Sequence, residues 1–210
     1  MNNIIDQIVF TIHLLQKNLP FILLLIGALY LIHFINALIA YRLNRFGVYP
    51  RKLFGLPGII FYPLLHSSFN HLFFNSIPLF ILASFILLKG FPTFICVSIT
   101  ITLLSGLGIW LIGRPGFHVG ASGLIMGYWA YLILEAYEQR TITSIAPAIV
   151  CIYYFGGFLL HLFPTQVKTS WEAHLCGFLS GLIAAYTCPL LFCKLSNDFC
   201  LSLQYGPINM

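Results

Sequence analysis

The sequence predicts an all-α membrane protein, a bundle of six transmembrane helices with a long, partly inserted first loop. Three observations carry this. Of 210 residues, 60% are hydrophobic and 7% charged, against about 25% charged in an ordinary soluble domain. Apolar runs near the roughly 20 residues needed to cross a bilayer recur along the chain, divided by short polar or Gly/Pro breaks. Residues 42–65 join the first two runs and are rich in Gly, Pro and aromatics. A connection of that length is usually functional or partly inserted. The expected organisation is an interfacial segment over 1–18, a six-helix domain over 19–193 and a short tail over 194–210, with no soluble domain beside them.

Each element follows from a local pattern. Ile4, Ile5, Ile8, Val9, Ile12 and Leu15 recur at helical spacing with Asp6, Gln7, His13 and Lys17 mostly off the stripe. That is the pattern of an amphipathic interfacial helix leading into the first span. Span 1 is expected over 19–41, with His33 and Asn36 turned toward the bundle. Span 2 covers 71–88 and ends at Lys89-Gly90. Span 3 covers 92–112 and is broken by Gly113-Arg114-Pro115-Gly116. Span 4 covers 122–137, with Glu135, Glu138 and Arg140 at its exit. Span 5 covers 142–163, with Gly156-Gly157 as a soft point, and span 6 covers 172–193. Cys96, Cys151, Cys176, Cys188 and Cys193 lie within apolar runs and read as packing residues, while Cys200 stands alone in the tail.

The net charge of +5 is small and dispersed. Its densest basic cluster, Arg42, Arg45, Arg51 and Lys52, suits headgroup contact at the end of a span. No basic run is interleaved with exposed aromatics, so nucleic acid is not an expected partner.

Spans joined by short loops alternate in direction, which puts the N-terminal ends of spans 2, 4 and 6 at one membrane face. His66 precedes span 2, and His71 and Asn75 occupy its first turns. Ser122 opens span 4 and His174 opens span 6. At about 1.5 Å rise per residue, all lie within a few turns of one surface. Gly123-x-x-x-Gly127 and Gly177-x-x-x-Gly181 are small-residue stripes of the kind that let two helix backbones approach closely in lipid. Close packing of spans 4 and 6 brings the Ser122 hydroxyl within reach of the His174 imidazole.

A serine is a weak nucleophile until a base takes its proton, and His174 is the candidate base. Glu172 is two positions away and points to another side of a helix, so a Ser–His dyad without a carboxylate is expected. The oxyanion formed on attack needs donors. The Ser122 backbone N–H and the side chains of His66 and Asn75 are candidates, and His71 and Asn75 share one helix face. An H-E-x-x-H zinc motif is absent, as are paired aspartates within spans. A metal site built from His66, His71, His118 and His174 is disfavoured. His118 is read as a hydrogen-bonded support of the loop before span 4.

Three segments together, His66-Ser-Ser-Phe-Asn-His71-Leu-Phe-Phe-Asn75, Gly120-Ala-Ser122-Gly123 and Ala173-His174-x-x-Gly177-x-x-x-Gly181, resemble the rhomboid intramembrane serine proteases. The resemblance covers roughly residues 19–193. It implies Ser122 as nucleophile, His174 as general base, His66 and Asn75 as oxyanion support, and His71 and Gly120 as structural positions near the site. It further implies cleavage of other membrane proteins within or beside their spans, without metal or organic cofactor. The sequence departs from the family pattern at Met126, where an aromatic residue often supports the base. It also lacks the Trp-Arg pair common in the first long loop, for which Arg51-Lys52-Leu53-Phe54 is the nearest equivalent.

The family places its site on the outer face of the membrane, which for a prokaryotic protein is the extracytoplasmic side of the inner membrane. The basic residues lean the other way. Lys17, Lys89, Arg140 and Lys194 fall on the N-terminal side, and Arg42, Arg45, Arg51, Lys52, Arg114 and Lys168 on the other. Two alternatives from other classes are an inactive relative that binds client spans and a small transporter.

Overall fold

The computed structural model of the chain describes residues 2–162 and 170–195. Among these the protein is all-α, and the one β-type pairing is an isolated bridge between Val48 and His118. The helices are α1 (Asn2–Leu38), α2 (Gly58–Phe61), α3 (Phe69–Leu87), α4 (Phe91–Ile112), α5 (Ser122–Gln139), α6 (Ile142–Phe155) and α7 (Trp171–Leu195). The expected end of span 5 at Phe163, Lys168, Cys200 and the tail from Ser196 onward lie outside the described residues.

The structure alters the expected arrangement in two ways. The N-terminal segment is not a separate helix, because α1 runs unbroken through 37 residues with Pro20 inside it. Its first turns expose Ile8, Val9 and Phe10. Secondly, only four helices among the described residues are long and apolar enough to cross a membrane: Ile5–Leu38, Phe69–Leu87, Phe91–Ile112 and Trp171–Leu191. These make it an integral, multi-pass membrane protein.

The two helices that fall short do so for different physical reasons. α5 has 18 residues and is buried along most of its length, from Gly123 to Leu132. It is surrounded by α3, α4, α6 and α7. A helix surrounded by protein can carry small and polar side chains that a lipid-facing helix cannot. Tyr128 accordingly meets Ser98 at 2.6 Å, and Trp129 Nε1 donates to the Cys151 carbonyl at 3.0 Å. α6 has 14 residues. Past Phe155 the chain tightens into a 3₁₀ helix over Gly156–Leu162, at the glycine pair.

The long first connection folds into 3₁₀ and short α-helical turns rather than a free loop. Val48, Tyr62 and Leu65 are buried. Its anchors are polar. Tyr62 and Ser105 hydroxyls meet at 2.6 Å. Arg51 donates to the Leu111 carbonyl at 3.0 Å, satisfying the end of α4. Trp110 Nε1 in turn donates to the Lys52 carbonyl at 3.0 Å. The loop has no tryptophan of its own, and α4 supplies the one that pins it. His33 and Asn36 on α1 are buried, with Asn36 bonded to Asn44 and to the Leu43 N–H at 2.9 Å each.

Candidate active site

Three helix starts meet at one cleft. It is lined by Ser67, Ser68 and His71 at the entry to α3, by Ser122 at the start of α5, and by Ser170 and His174 at the start of α7. The loop from Arg114 to Val119 forms its remaining wall. Ser68 caps α3 by accepting from the His71 N–H at 3.2 Å, which fixes where the histidine begins its turn.

Close glycine contact between α5 and α7 sets the distance between Ser122 and His174. A Cβ built on Gly177 overlaps the carbonyl of Gly123, with its carbon 2.7 Å away. A Cβ on Gly181 overlaps the carbonyl of Gly127 in the same way, with its carbon also 2.7 Å away. A Cβ on Gly123 lies 3.1 Å from the Ala173 carbonyl oxygen. The residues next to Ser122 and next to His174 are therefore in van der Waals contact. Met126, one turn beyond Ser122, is buried in this part of α5.

Gly120 has a φ of +123°, a conformation that side chains disfavour, and its position has a second constraint. A Cβ there would meet His71 Nε2 at 2.7 Å and Asn75 Nδ2 at 3.5 Å. The imidazole and the amide of α3 thus converge on the backbone just before Ser122. Asn75 Nδ2 is buried and makes no hydrogen bond. Ser67 Oγ lies 3.1 Å from His71 Nδ1. If that nitrogen accepts, Nε2 carries the proton and faces Gly120.

His66 has a different environment. It is fully buried and does not line the cleft. Its Nε2 accepts from the Ala121 N–H at 3.4 Å, so this nitrogen is an acceptor that supports the loop before Ser122. Burial, then the neighbouring His71 and His33, push its pKa down to about 3. The consequence for stability has a definite sign. Below the unfolded value of about 6.5, the unfolded chain takes a proton that the folded chain refuses. Stability is then lost as pH falls from 6.5 toward 3, by at most about 1.4 kcal/mol per pH unit from this group. Thermal midpoints in detergent from pH 7.5 to 4.5 should fall in the wild type and fall less steeply in His66→Gln.

The loop before α5 is tied to the start of α7. Glu172 is buried and pairs with Arg114, whose Nε lies 2.5 Å from Oε1 and whose Nη2 lies 3.2 Å from Oε2. The Arg114 backbone N–H donates to the same carboxylate at 3.2 Å. His118 exchanges backbone hydrogen bonds with Val48. Its ring bridges the Arg114 carbonyl, 2.9 Å from Nε2, and Ser170 Oγ, 2.6 Å from Nδ1. A carbonyl can only accept, so Nε2 donates and a neutral His118 accepts from the Ser170 hydroxyl at Nδ1. That is the geometry of a histidine base on a serine. Ser170 also accepts from the Ala173 N–H at 3.4 Å, which is the work of a helix cap. Among the described residues, no three His, Cys, Asp or Glu side chains are grouped to hold a metal ion.

The rhomboid domain model matches residues 54–190, well over half of the chain. The chain belongs to the rhomboid family. This rhomboid is 39% identical over 174 residues to an uncharacterized protein of Mycobacterium tuberculosis, covering 79% of this chain and 72% of that one. An uncharacterized protein of Mycobacterium leprae is 37% identical over 174 residues, covering 79% and 69%. The Bacillus subtilis protein named "Putative rhomboid protease YdcA" is 26% identical over 128 residues, covering 60% of this chain and 63% of that one.

Proposed function

We propose that this rhomboid is an intramembrane serine endopeptidase that hydrolyses peptide bonds in or near the transmembrane segments of other membrane proteins. The observation that carries this reading is the shared cleft of Ser122 and His174, above a glycine-to-glycine contact that holds their helices together. Ser122 is the nucleophile. His174 takes its proton and returns it to the leaving amine. No carboxylate belongs to the pair, because Glu172 is engaged by Arg114. Met126 is a support beneath His174. The catalytic unit is the six-helix region 19–193, with α5 crossing the membrane inside the shelter of the longer helices and α6, which exposes Ile149, Ile152 and Tyr153, crossing at the edge of the bundle against α5. The site opens to the extracytoplasmic face of a prokaryotic inner membrane. An inactive relative that binds client helices is the second reading, which the intact pair disfavours.

The oxyanion role is assigned to His71 and Asn75, with the N–H of Ser122 at the start of α5 as the third donor. His66 becomes a positioning residue. The support is geometric. His71 Nε2 and Asn75 Nδ2 both face Gly120, and the Asn75 amide has a donor to spare. His66 Nε2 is already an acceptor, and the ring is outside the cleft. Loss of one such donor costs about 3–4 kcal/mol at most, or a factor of 10²–10³ in turnover. Asn75→Ala and His71→Ala should each retain slow cleavage of a transmembrane reporter, and the double variant should be slower than either. Substrate affinity, measured in the Ser122→Ala background, should change little, because these bonds strengthen in the transition state. Weakened affinity with intact turnover would assign Asn75 to substrate binding.

Fluorophosphonate labelling tests which serine reacts. The purified protein should label once, at Ser122, and Ser122→Ala should not label. Ser170→Ala should still label, because the His118–Ser170 bond is read as structural. Labelling that survives Ser122→Ala and disappears in Ser170→Ala would move the nucleophile to the second pair.

A further inference from the structure

We propose a binding site for an amine-bearing glycerophospholipid at the end of the bundle opposite the Ser122 cleft. Its phosphoethanolamine headgroup lies between α5, α7, the start of α6 and the α3–α4 turn, and one acyl chain lies under the first turns of α1. Glu135 is 13 residues along α5 from Ser122, about 20 Å at the helical rise, so this is a separate place on the molecule.

Two cavities meet there. The first is of mixed character, with the charged and hydroxyl side chains of Lys89, Glu135, Glu138, Thr141 and Thr143 beside Ala185, Pro189 and Leu190 of α7. The second is an apolar groove that includes Phe10 and Leu14 of α1, Phe85 and Leu88 at the end of α3, and Ala146 and Val150 of α6. Lys89 and Thr143 belong to both. A chamber with charged side chains opening into an apolar groove has the shape of one lipid molecule, a headgroup followed by a chain. The α1 turns over the groove also expose Ile5 and Val9, which do not line it, as a helix lying in the interface does.

The charges select the headgroup. Lys89 Nζ lies 2.8 Å from Glu135 Oε1, and both side chains are mostly buried. Glu135 Oε2 is buried and has no hydrogen-bond partner. Glu138 adds a second carboxylate to the same chamber. One cation and two carboxylates leave a net negative charge, which disfavours an anionic headgroup. A primary ammonium answers it, donating to Glu135 Oε2 and Glu138, while the phosphate meets Lys89 and the threonine hydroxyls. A quaternary ammonium has no N–H to donate, so phosphatidylcholine fits less well.

Native mass spectrometry of the full-length protein in detergent tests this, with equal amounts of dioleoyl phosphatidylethanolamine, phosphatidylcholine and phosphatidylglycerol. One phosphatidylethanolamine should be retained with a preference of about tenfold over either competitor, the factor that one charge-assisted hydrogen bond supplies. Glu138→Gln should reduce that preference. Ala146→Trp, which fills the groove without touching a charge, should reduce retention of all three lipids. Helix content by circular dichroism and elution volume report folding of each variant. Free glycerophosphoethanolamine, the headgroup without chains, should fail to compete. Equal retention of the three lipids by the wild type would overturn the proposal, whatever the variants do. So would wild-type preference in both folded variants, and effective competition by the chainless headgroup would replace the lipid with a soluble ligand.

Discussion

Replacing Ser122 or His174 by alanine is expected to remove cleavage of a transmembrane reporter almost entirely, by about 10⁴-fold or more, as in other nucleophile–base units. The two side chains reach the cleft from different helices, and in the proposed dyad they act on one proton. Either substitution leaves the other residue with nothing to do, so the double variant should be no worse than the singles. This non-additivity distinguishes chemistry from packing. Both positions are partly accessible at the mouth of the cleft rather than in the apolar core. The alanine variants should therefore keep the helix content and thermal midpoint of the wild type. The measurement is single-turnover cleavage in liposomes, with melting followed on the same preparations. Turnover near the wild-type rate in either variant would sink the dyad.

The second large effect is expected at the glycines. Gly177→Val and Gly181→Val should each abolish activity without altering a reacting group. The atoms that a side chain would strike are the backbone carbonyls of Gly123 and Gly127, which have no rotamer to yield. The helices must separate, or α7 must turn about its axis. Either movement displaces His174, one turn before Gly177, from the Ser122 hydroxyl. Overpacking costs about 1–3 kcal/mol where side chains can adjust, and a backbone obstacle belongs at or above the top of that range. A lowered melting temperature should accompany the lost turnover. A cysteine pair engineered across the α5–α7 contact should cross-link more slowly in either valine variant. Unchanged cross-linking and activity would show that the two helices tolerate separation.

Alanine at Gly27 gives a contrast. A Cβ there meets nothing within 4 Å, so that substitution should leave activity and stability close to wild type. Glycine as a residue type is therefore not the requirement. The requirement is a missing Cβ where two backbones touch.

The break after α4 was legible because it rests on local chemistry, and follows from Gly113 and Pro115. The end of the α-helical part of α6 was not: Gly156-Gly157 was expected as a soft point within span 5, and the α-helix gives way there to a 3₁₀ helix. The unbroken α1 was less legible, because a polar-flecked stripe before an apolar run reads as two pieces when nothing else is known. The shelter around α5 was also hidden. Hydropathy treats every span as though it faced lipid, and Glu135 and Glu138 read as an exit because their partners, such as Lys89, lie far away in sequence.

The distinction between His66 and His71 shows the same limit at the site. Both histidines flank the start of α3, and the sequence places both near Ser122. Only the fold orients them. His66 is turned into the protein, where the Ala121 N–H uses its nitrogen, and His71 faces Gly120 beside the unpartnered Asn75 amide. The i, i+4 spacing of His71 and Asn75 was the available signal, since it puts the two donors on one helix face.

By itself the sequence determined the membrane setting, the all-α class, the family and which residues are candidates for chemistry. These depend on composition, on local periodicity and on short motifs, each readable within a few turns of chain. Tertiary structure alone decided which helix is enclosed, which histidine looks into the cleft, and how loops without a tryptophan or a third catalytic acid are held. Those outcomes depend on contacts between residues far apart in the chain, such as Trp110 with Lys52 and Arg114 with Glu172. No local pattern encodes them, because a side chain's direction is settled only when the backbones around it have been packed.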